Sequence, residues 1–361
     1  MKALIAMSGG VDSSVAAKLT KEAGFECIGC TMELFDIGCG GGPRGETTSD
    51  EAQSADSDNV RDARSVAERL GMSFYAFDLK EAFRSCVIDK FTDAYSHGVT
   101  PNPCVDCNKN LKFGALLQKA EELGCEYIVT GHYARIERDP HTGKYLLRKA
   151  VNDAKDQSYV LYNLTQEQLA HVLMPLGEYS KDQVRELAKE NGFVNADRPE
   201  SQDICFVPDG DYAGFIERYS GAGCPAGDFV DAQGNVLGRH KGIIHYTLGQ
   251  RRGLGIPAAH RCYVTKIDPE TNTVTLGTND DLMKRTLYAR RINLITVNRI
   301  KGSLRCSAKI RYRHKEQPCT VTQPEEDLLK VVFDEPQRAI TPGQSVVLYD
   351  GDVVVGGGVI V

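Results

Sequence analysis

The sequence predicts an α/β domain with a parallel sheet, followed by a small central domain and a C-terminal β-barrel. Strand-like and helix-like runs alternate along the first part of the chain, a pattern typical of a parallel sheet covered by helices on both faces. Beyond about Pro208 the chain is rich in glycine, and past Leu276 short β-branched runs are spaced by turns. We therefore predict domains over residues 1–207, 208–275 and 276–361.

The elements of the first domain are predicted from its apolar runs and from glycines that follow helix-like runs as C-caps. The predicted strands are Lys2–Ala6, Phe25–Leu34, Ser73–Phe77 and Tyr127–Thr130, and the predicted helices are Ser13–Ala23, Asn59–Leu70, Leu79–Ser96 and Lys109–Leu123. Ligands of such sheets bind beyond the carboxyl ends of the strands. The loops after Ala6, Leu34 and Thr130 are therefore expected to share one crevice. The polar composition between Phe35 and Asp58 predicts a mobile surface loop.

The last part of the chain predicts barrel strands at INLIT, CSAKIRY, CTVT, LLKVVF, SVVLYD and VVVGGGVIV. The whole chain has 361 residues, of which 41% are hydrophobic and 25% charged, as in ordinary globular proteins. Its apolar runs are far shorter than the roughly 20 residues of a membrane span, and the start MKALIAMSGG has no signal region. We expect a cytoplasmic protein without a membrane partner, whose twelve cysteines are reduced.

Charge is unevenly distributed along the chain. The net charge is −6, yet the segment from Lys284 to Lys315 contains eleven Lys or Arg residues and no acidic residue. Solvated surfaces usually mix the two signs. The segregation favours a polyanionic partner, although a single basic stretch is weak evidence by itself.

The heptapeptide SGGVDSS, residues 8–14, follows the first predicted strand and precedes the first helix. A tight glycine turn at a helix start directs backbone N–H groups at one point and forms an anion site. Phosphate would repel Asp12 unless the carboxylate serves a cation, so we expect bound Mg²⁺. The spacing fits neither the Walker loop nor the dinucleotide fingerprint. A simple helix cap at Asp12 or Ser13 is the competing interpretation.

Two short segments carry candidate reactive cysteines. TPNPCVDCNKN, residues 100–110, places Cys104 and Cys107 directly before a predicted helix. A helix N-terminus and nearby lysines lower a thiol pKa, while Asp106 acts in the opposite direction. A structural zinc site would normally need four ligands, and the other CxxC of the chain, Cys27 to Cys30, lies in an apolar run predicted as a strand. Cys205 lies in the polar segment PESQDICFVPDG.

These motifs resemble known families. SGGVDSS is similar to the PP-loop of the ATP pyrophosphatases. Together with PNPCVDCNK, PESQDICF and YTLGQRRGLG, it resembles the tRNA-specific 2-thiouridylases along the whole chain. The resemblance implies a PP-loop domain of the adenine nucleotide alpha hydrolase-like fold, then a small central domain and a β-barrel. It also implies ATP-dependent replacement of the C2 oxygen of the wobble uridine (position 34) in tRNA by sulfur.

The resemblance implies roles for particular residues. The nucleophile would be Cys107, and the persulfide would form on Cys205. ATP would be held by Ala6, Met7, Ser8, Gly9, Gly10, Val11, Asp12, Ser13, Met32 and Gly131. The target base would face Asn102, Pro103 and Cys104, where many relatives have Asp at the last position. The tRNA would contact His132, Lys155, Asp156, Gln157, Arg311, Tyr312 and Gln344.

The implied reaction needs ATP and Mg²⁺ for adenylation of the C2 oxygen, and a persulfide-carrying donor protein as the source of sulfur. The persulfide attacks C2 directly, or Cys107 cleaves it and releases sulfide; the sequence leaves both routes open. One alternative is another PP-loop enzyme such as a GMP synthetase, and a second is an RNA-binding protein gated by nucleotide. A third, ranked below the persulfide route, is an iron–sulfur cluster on Cys104, Cys107 and Cys205, since thiolates suit iron.

Overall fold

The computed structural model describes residues 1–35, 58–196, 204–221, 223–256 and 261–361. The predicted mobile loop therefore lies outside the described residues apart from its two ends, and so do the first five residues of PESQDICF, residues 199–203. No helix of the described ranges is long and apolar enough to cross a membrane.

The first domain is built on a five-stranded parallel sheet, as the sequence predicts. Its strand order is β3-β2-β1-β4-β7, and every neighbouring pair is parallel. The strands are β1 Lys2–Ala6, β2 Glu26–Glu33, β3 Ser73–Asp78, β4 Tyr127–Val129 and β7 Val172–Leu173. The order reverses between β1 and β4, so the crevice of this sheet opens where these two strands end.

Helices cover both faces of the sheet. Leu4 of β1 packs into one buried cluster with Ile128, and its neighbour Ile5 packs into another with Val15 and Val129. The helices are α1 Val11–Glu22, α2 Asp58–Arg69, α3 at residues 80–96, α4 at residues 103–122, α5 Gln166–Ala170, α6 Lys181–Glu190 and α7 Tyr212–Ser220. Short 3₁₀ turns span Ser158–Leu161, Pro175–Glu178, Ile243–His245 and Asp280–Leu282.

Two of these helices contain a widened, π-helical stretch. In α3 it covers Arg84–Ile88, between α-helical segments Lys80–Phe83 and Asp89–Ser96. In α4 it covers Asn108–Ala115, between Pro103–Cys107 and Leu116–Glu122. The predicted start of α4 at Lys109 is therefore wrong by six residues. The helix begins at Pro103 because Asn102 caps it and proline suits the first helical position.

The central domain is a small mixed sheet of order β10-β11-β8-β9. Its strands are β8 Gly227–Val230, β9 Val236–His240, β10 Tyr263–Asp268 and β11 Thr273–Gly277. Phe229, Val264 and Val274 are fully buried at its centre. The motif YTLGQRRGLG follows the turn Ile243–His245 and lines a cavity of about 550 Å³ with Asp211 and Lys241.

Six strands close the predicted C-terminal barrel. They follow the order β12-β15-β14-β13-β16-β17, and β17 pairs with β12 again. The strands are β12 Met283–Leu294, β13 Ser303–Lys309, β14 Gln317–Glu325, β15 Leu328–Arg338, β16 Ser345–Asp350 and β17 Val353–Ile360. The closed ring protects the strand edges that an open sheet would expose.

A hairpin of the first domain joins this barrel, which the sequence analysis did not predict. Its strands are β5 Ala134–Arg138 and β6 Tyr145–Lys149, and β6 pairs with β17 at Val353. Asp352 accepts hydrogen bonds from Arg135 and Arg148, both at 2.7 Å. Barrel residues such as Tyr349 also lie in the same buried cluster as Leu4 of β1. The first domain and the barrel therefore share a sheet and a hydrophobic core.

Candidate active site

The turn between β1 and α1 is shaped to receive an anion. Gly9 has a φ of +75°, and a Cβ there would lie 2.6 Å from the carbonyl oxygen of Asn59. Gly10 is the N-cap of α1 and supplies no side-chain hydrogen bond to the helix start. The hydroxyls of Ser13 and Ser14 instead donate to the Gly10 carbonyl, at 2.9 and 3.1 Å. The interpretation that Asp12 or Ser13 merely caps the helix is thus wrong, and the first N–H groups stay directed at the crevice.

The loop after β4 packs directly against this turn. A Cβ at Gly131 would lie 2.7 Å from the Asp12 carbonyl carbon and from the Ser13 nitrogen. Only glycine allows so close an approach. Met32 lies near the end of β2, opposite Phe77, and packs against the sheet cluster that contains Leu4. The candidate nucleotide residues after β1 and β4 are therefore adjacent, as the crevice prediction requires.

Asp12 has protein partners in this structure. Its Oδ1 accepts from Lys181 Nζ and from the Tyr133 hydroxyl, each at 2.7 Å. Lys181 is buried at the start of α6, and the sequence analysis assigned it no role. Within the described ranges, no three His, Cys, Asp or Glu side chains are arranged to hold a metal ion. A magnesium ion at this turn would therefore depend on phosphate oxygens, which are its usual partners in nucleotide sites.

The two candidate cysteines of TPNPCVDCNKN lie inside α4 and not before it. Asn102 accepts from the Cys104 N–H at 3.2 Å and caps the helix, while Pro103 is buried. Cys104 is exposed and Cys107 is half-buried. Burial raises the pKa of the Cys107 thiol, and Lys112 only partly offsets that effect. The sequence analysis expected the helix start and the lysines to lower the thiol pKa, but desolvation outweighs that effect.

Cys205 shares this site with the other two thiols. The pKa of Cys205 is raised to about 12, first by burial and then by Cys107 and Cys104. The three thiols therefore act on one another electrostatically, although they are not arranged to hold a metal ion in the described part of the chain. Although the protein crowds the sulfur, the residue as a whole keeps an exposed surface. All eleven cysteines of the described ranges are free thiols.

Phe206 anchors the segment that carries Cys205. Its ring lies 5.3 Å from Phe91 and 5.2 Å from Phe215, in an aromatic cluster against which Cys107 also packs. Aromatic pairs of this kind stabilise a site beyond the area they bury. The residue after Cys205 thus fixes it beside α4.

A lysine and a buried histidine complete the thiol cluster. Lys112 Nζ lies 3.4 Å from His132 Nε2, and His132 Nδ1 lies 2.8 Å from the Thr130 hydroxyl. Burial, assisted by Lys112, lowers the pKa of His132 well below its usual value. The sequence analysis treated Lys112 only as a neighbour of the cysteines and assigned it no role.

The loop after β4 connects the two halves of the site. Gly131 touches the start of α1 and Tyr133 donates to Asp12, while His132 between them meets Lys112 beside the thiols. A nucleotide at the turn and a sulfur at the cysteines would therefore lie on either side of this one loop.

Comparisons with known proteins agree with this arrangement. Family models described as tRNA methyl transferase HUP domain, tRNA methyl transferase PRC-barrel domain and aminomethyltransferase beta-barrel domain match residues 1–209, 213–278 and 284–360. The tRNA-specific 2-thiouridylase MnmA of Clostridioides difficile is 51% identical, over 99% of this chain and 98% of that protein. The MnmA protein of Acetivibrio thermocellus is 49% identical, over 99% of each chain. This chain belongs to the tRNA-specific 2-thiouridylase family.

Some residues that the 2-thiouridylase resemblance assigns to RNA contact have interior partners here. Asp156 is buried and accepts from the backbone N–H of Ala150 and from both the N–H and the hydroxyl of Ser158. Gln157 accepts from the Tyr133 N–H at 2.9 Å, and Lys155 beside them is partly exposed. The KDQ segment therefore supports the loop after β4.

The barrel of this 2-thiouridylase touches the catalytic domain just before α4. The side-chain amide of Gln344 donates to the carbonyls of Thr100 and Pro101, at 3.0 and 3.2 Å. Arg311 is half-buried and donates to the Arg338 carbonyl, and Tyr312 is 41% exposed. Gln344 thus links the barrel to the segment that precedes α4.

The basic segment of this protein, residues 284–315, is partly neutralised by ion pairs in the folded structure. Four of its eleven cations pair with acidic side chains that follow residue 315: Arg285 with Glu335, Arg290 with Glu325, Arg305 with Asp334 and Lys309 with Glu316. Those partners lie on or beside neighbouring barrel strands. The sequence count therefore overstates the positive field of this surface.

Proposed function

We propose that this chain performs ATP-dependent 2-thiolation of the wobble uridine (position 34) of tRNA. The observation that carries the proposal is the loop Thr130–Tyr133, which joins a phosphate-type turn to a cluster of three thiols. Adenylation and sulfur transfer on one base need these two sites to be adjacent. Full-length similarity to proteins named tRNA-specific 2-thiouridylase supports the same activity.

In the first step, the C2 oxygen of uridine attacks the α-phosphorus of ATP and pyrophosphate leaves. The uncapped N–H groups at the start of α1 and the Ser8, Gly9 and Gly10 backbone would bind the phosphates. Bound Mg²⁺ would neutralise charge on the departing pyrophosphate. Lys181 and Tyr133 hold the Asp12 carboxylate and so fix the start of α1.

In the second step, a persulfide on Cys205 supplies sulfur that a donor protein delivered. The terminal sulfur attacks C2 and displaces AMP, after which Cys107 attacks the Cys205 sulfur and frees the thiocarbonyl. Alternatively, Cys107 attacks first and releases hydrosulfide, which then attacks C2. Both routes leave a Cys107–Cys205 disulfide, which a cellular thiol must reduce.

The proposed substrate contacts follow the geometry. Asn102, Pro103 and Cys104 form the first turn of α4 and would face the base, while Arg311, Tyr312 and Lys155 would face the RNA backbone. In this proposal the protein acts in the cytoplasm, on tRNA and with a persulfide-carrying partner. An iron–sulfur cluster on Cys104, Cys107 and Cys205 stays the lower-ranked alternative.

The test measures 2-thiouridine formed from tRNA, ATP and either sulfide or a persulfide donor. We expect Cys107→Ser and Cys205→Ser to abolish product with the persulfide donor. Cys27→Ser is the matched control, because Cys27 lies on β2 and its sulfur donates to the carbonyl of Phe25, a bond that serine can keep. Normal thiolation by both mutants would refute the mechanism. Activity that follows bound iron and disappears in Cys104→Ser would favour the cluster.

A further inference from the structure

The winding of α4 determines where Lys112 points. In an α-helix, residues five apart are separated by about 140° around the axis and face different directions. A π-helix instead hydrogen-bonds from residue i to residue i+5 and turns less per residue, so residues five apart lie closer together around the axis. Cys107 immediately precedes the π-helical stretch Asn108–Ala115, and Lys112 is five residues further on. The stretch therefore turns Lys112 to the side of the helix that carries Cys107.

Lys112 acts electrostatically on all three thiols. Its ammonium opposes the effect of burial on the pKa of Cys104, Cys107 and Cys205. The other side chains that act on Cys107 and Cys205 are thiols and the Asp106 carboxylate, which raise the pKa values. Lys112 is thus the cation that faces this cluster within the described ranges.

His132 fixes the position of this ammonium. An ammonium can only donate, so Nε2 of His132 must accept from Lys112, and Nδ1 of the neutral ring then carries the proton. That proton is donated to the Thr130 hydroxyl at 2.8 Å. Phe113 packs 5.9 Å from the imidazole on the side of α4. The histidine is buried, so its role is internal to the site.

We propose that Lys112 is the cation that stabilises anionic sulfur during transfer, and that His132 is its positioning residue. The inference rests on the proposed function and deepens it. In either route a sulfur bears negative charge: the terminal persulfide sulfur, the attacking Cys107 thiolate or the released hydrosulfide. When an S–S bond breaks, one sulfur leaves with the electron pair, and in this proposal the Lys112 ammonium stabilises its negative charge.

The experiment compares wild type with Lys112→Met, Lys112→Arg and His132→Leu. Alkylation of Cys107 and Cys205 is followed against pH by mass spectrometry of peptides, in the full chain without tRNA. An opposite charge at close range shifts a pKa by about one unit or more. We expect Lys112→Met to raise the alkylation midpoint of Cys107 by about that much and to slow the alkylation of Cys205 about tenfold at a given pH. Lys112→Arg should restore most of both effects, and His132→Leu should show part of them.

Lys119→Met is the matched control, because Lys119 lies further along α4 and pairs with Glu122 at 2.7 Å. Thermal unfolding identifies any variant that fails to fold. If Lys112→Met does not fold, the alkylation of Lys112→Arg and His132→Leu still tests the inference. An unchanged midpoint in folded Lys112→Met overturns the inference while leaving the proposed function intact. If wild type itself forms no 2-thiouridine, the proposed function fails, whatever the alkylation shows.

Discussion

Gly131 lies where the loop after β4 touches the start of α1, and Gly131→Ala perturbs that contact alone. The added Cβ would lie 2.7 Å from two backbone atoms, so loop and helix must separate by at least 0.7 Å to reach an ordinary contact of 3.4 Å. Overpacking of this kind costs about 1–3 kcal/mol of stability. Since misplacement by 1 Å costs on the order of a hundredfold in rate, we expect kcat/KM for ATP to fall roughly ten- to hundredfold.

The assay measures pyrophosphate release against ATP concentration in the presence of tRNA. Gly223→Ala is the control, because a Cβ there meets nothing within 4 Å. Circular dichroism confirms that each variant is folded. A folded Gly131→Ala protein with the wild-type dependence on ATP would refute the close contact between loop and turn.

Three further predictions concern the barrel and the thiols. Arg311→Ala should make the log–log salt dependence of tRNA affinity shallower by about one unit, and Arg285→Ala, which removes a cation paired on the barrel, should change it less. Gln344→Ala removes two hydrogen bonds to carbonyls ahead of α4 and should lower the free energy of unfolding by about 1–3 kcal/mol in denaturant titration. Because its pKa is raised to about 12, Cys205 should stay protonated at neutral pH. As the pH is raised from neutral toward that pKa, the rate of its alkylation should increase about tenfold per pH unit. Alkylation at neutral pH as fast as that of free cysteine would contradict this.

The sequence allowed the parallel sheet and the nucleotide turn to be predicted, because both depend on local patterns. Apolar runs and glycine C-caps locate β1 to β4, and a glycine turn between strand and helix marks the anion site. The start of α4 was also readable, since Asn102 followed by Pro103 is an N-cap signal.

Other features have no local signal. The hairpin β5–β6 pairs with Val353, about two hundred residues away, and only the folded barrel provides that partner. The acidic partners of the basic segment likewise come from later strands. The π-helical winding that turns Lys112 toward Cys107 depends on packing around α4, since propensities do not distinguish it from an α-helix.

The sheet shared by the hairpin β5–β6 and the barrel makes the central domain an insertion in the architecture. The chain leaves the first domain after residue 207, folds the small mixed sheet, and returns at Met283 to strands that already belong beside the first domain. A protease cut inside the central domain would therefore leave two fragments held together by β-pairing, by Asp352 and by a common core. The central domain thus separates the first domain from the barrel along the chain, but the two are direct neighbours in space.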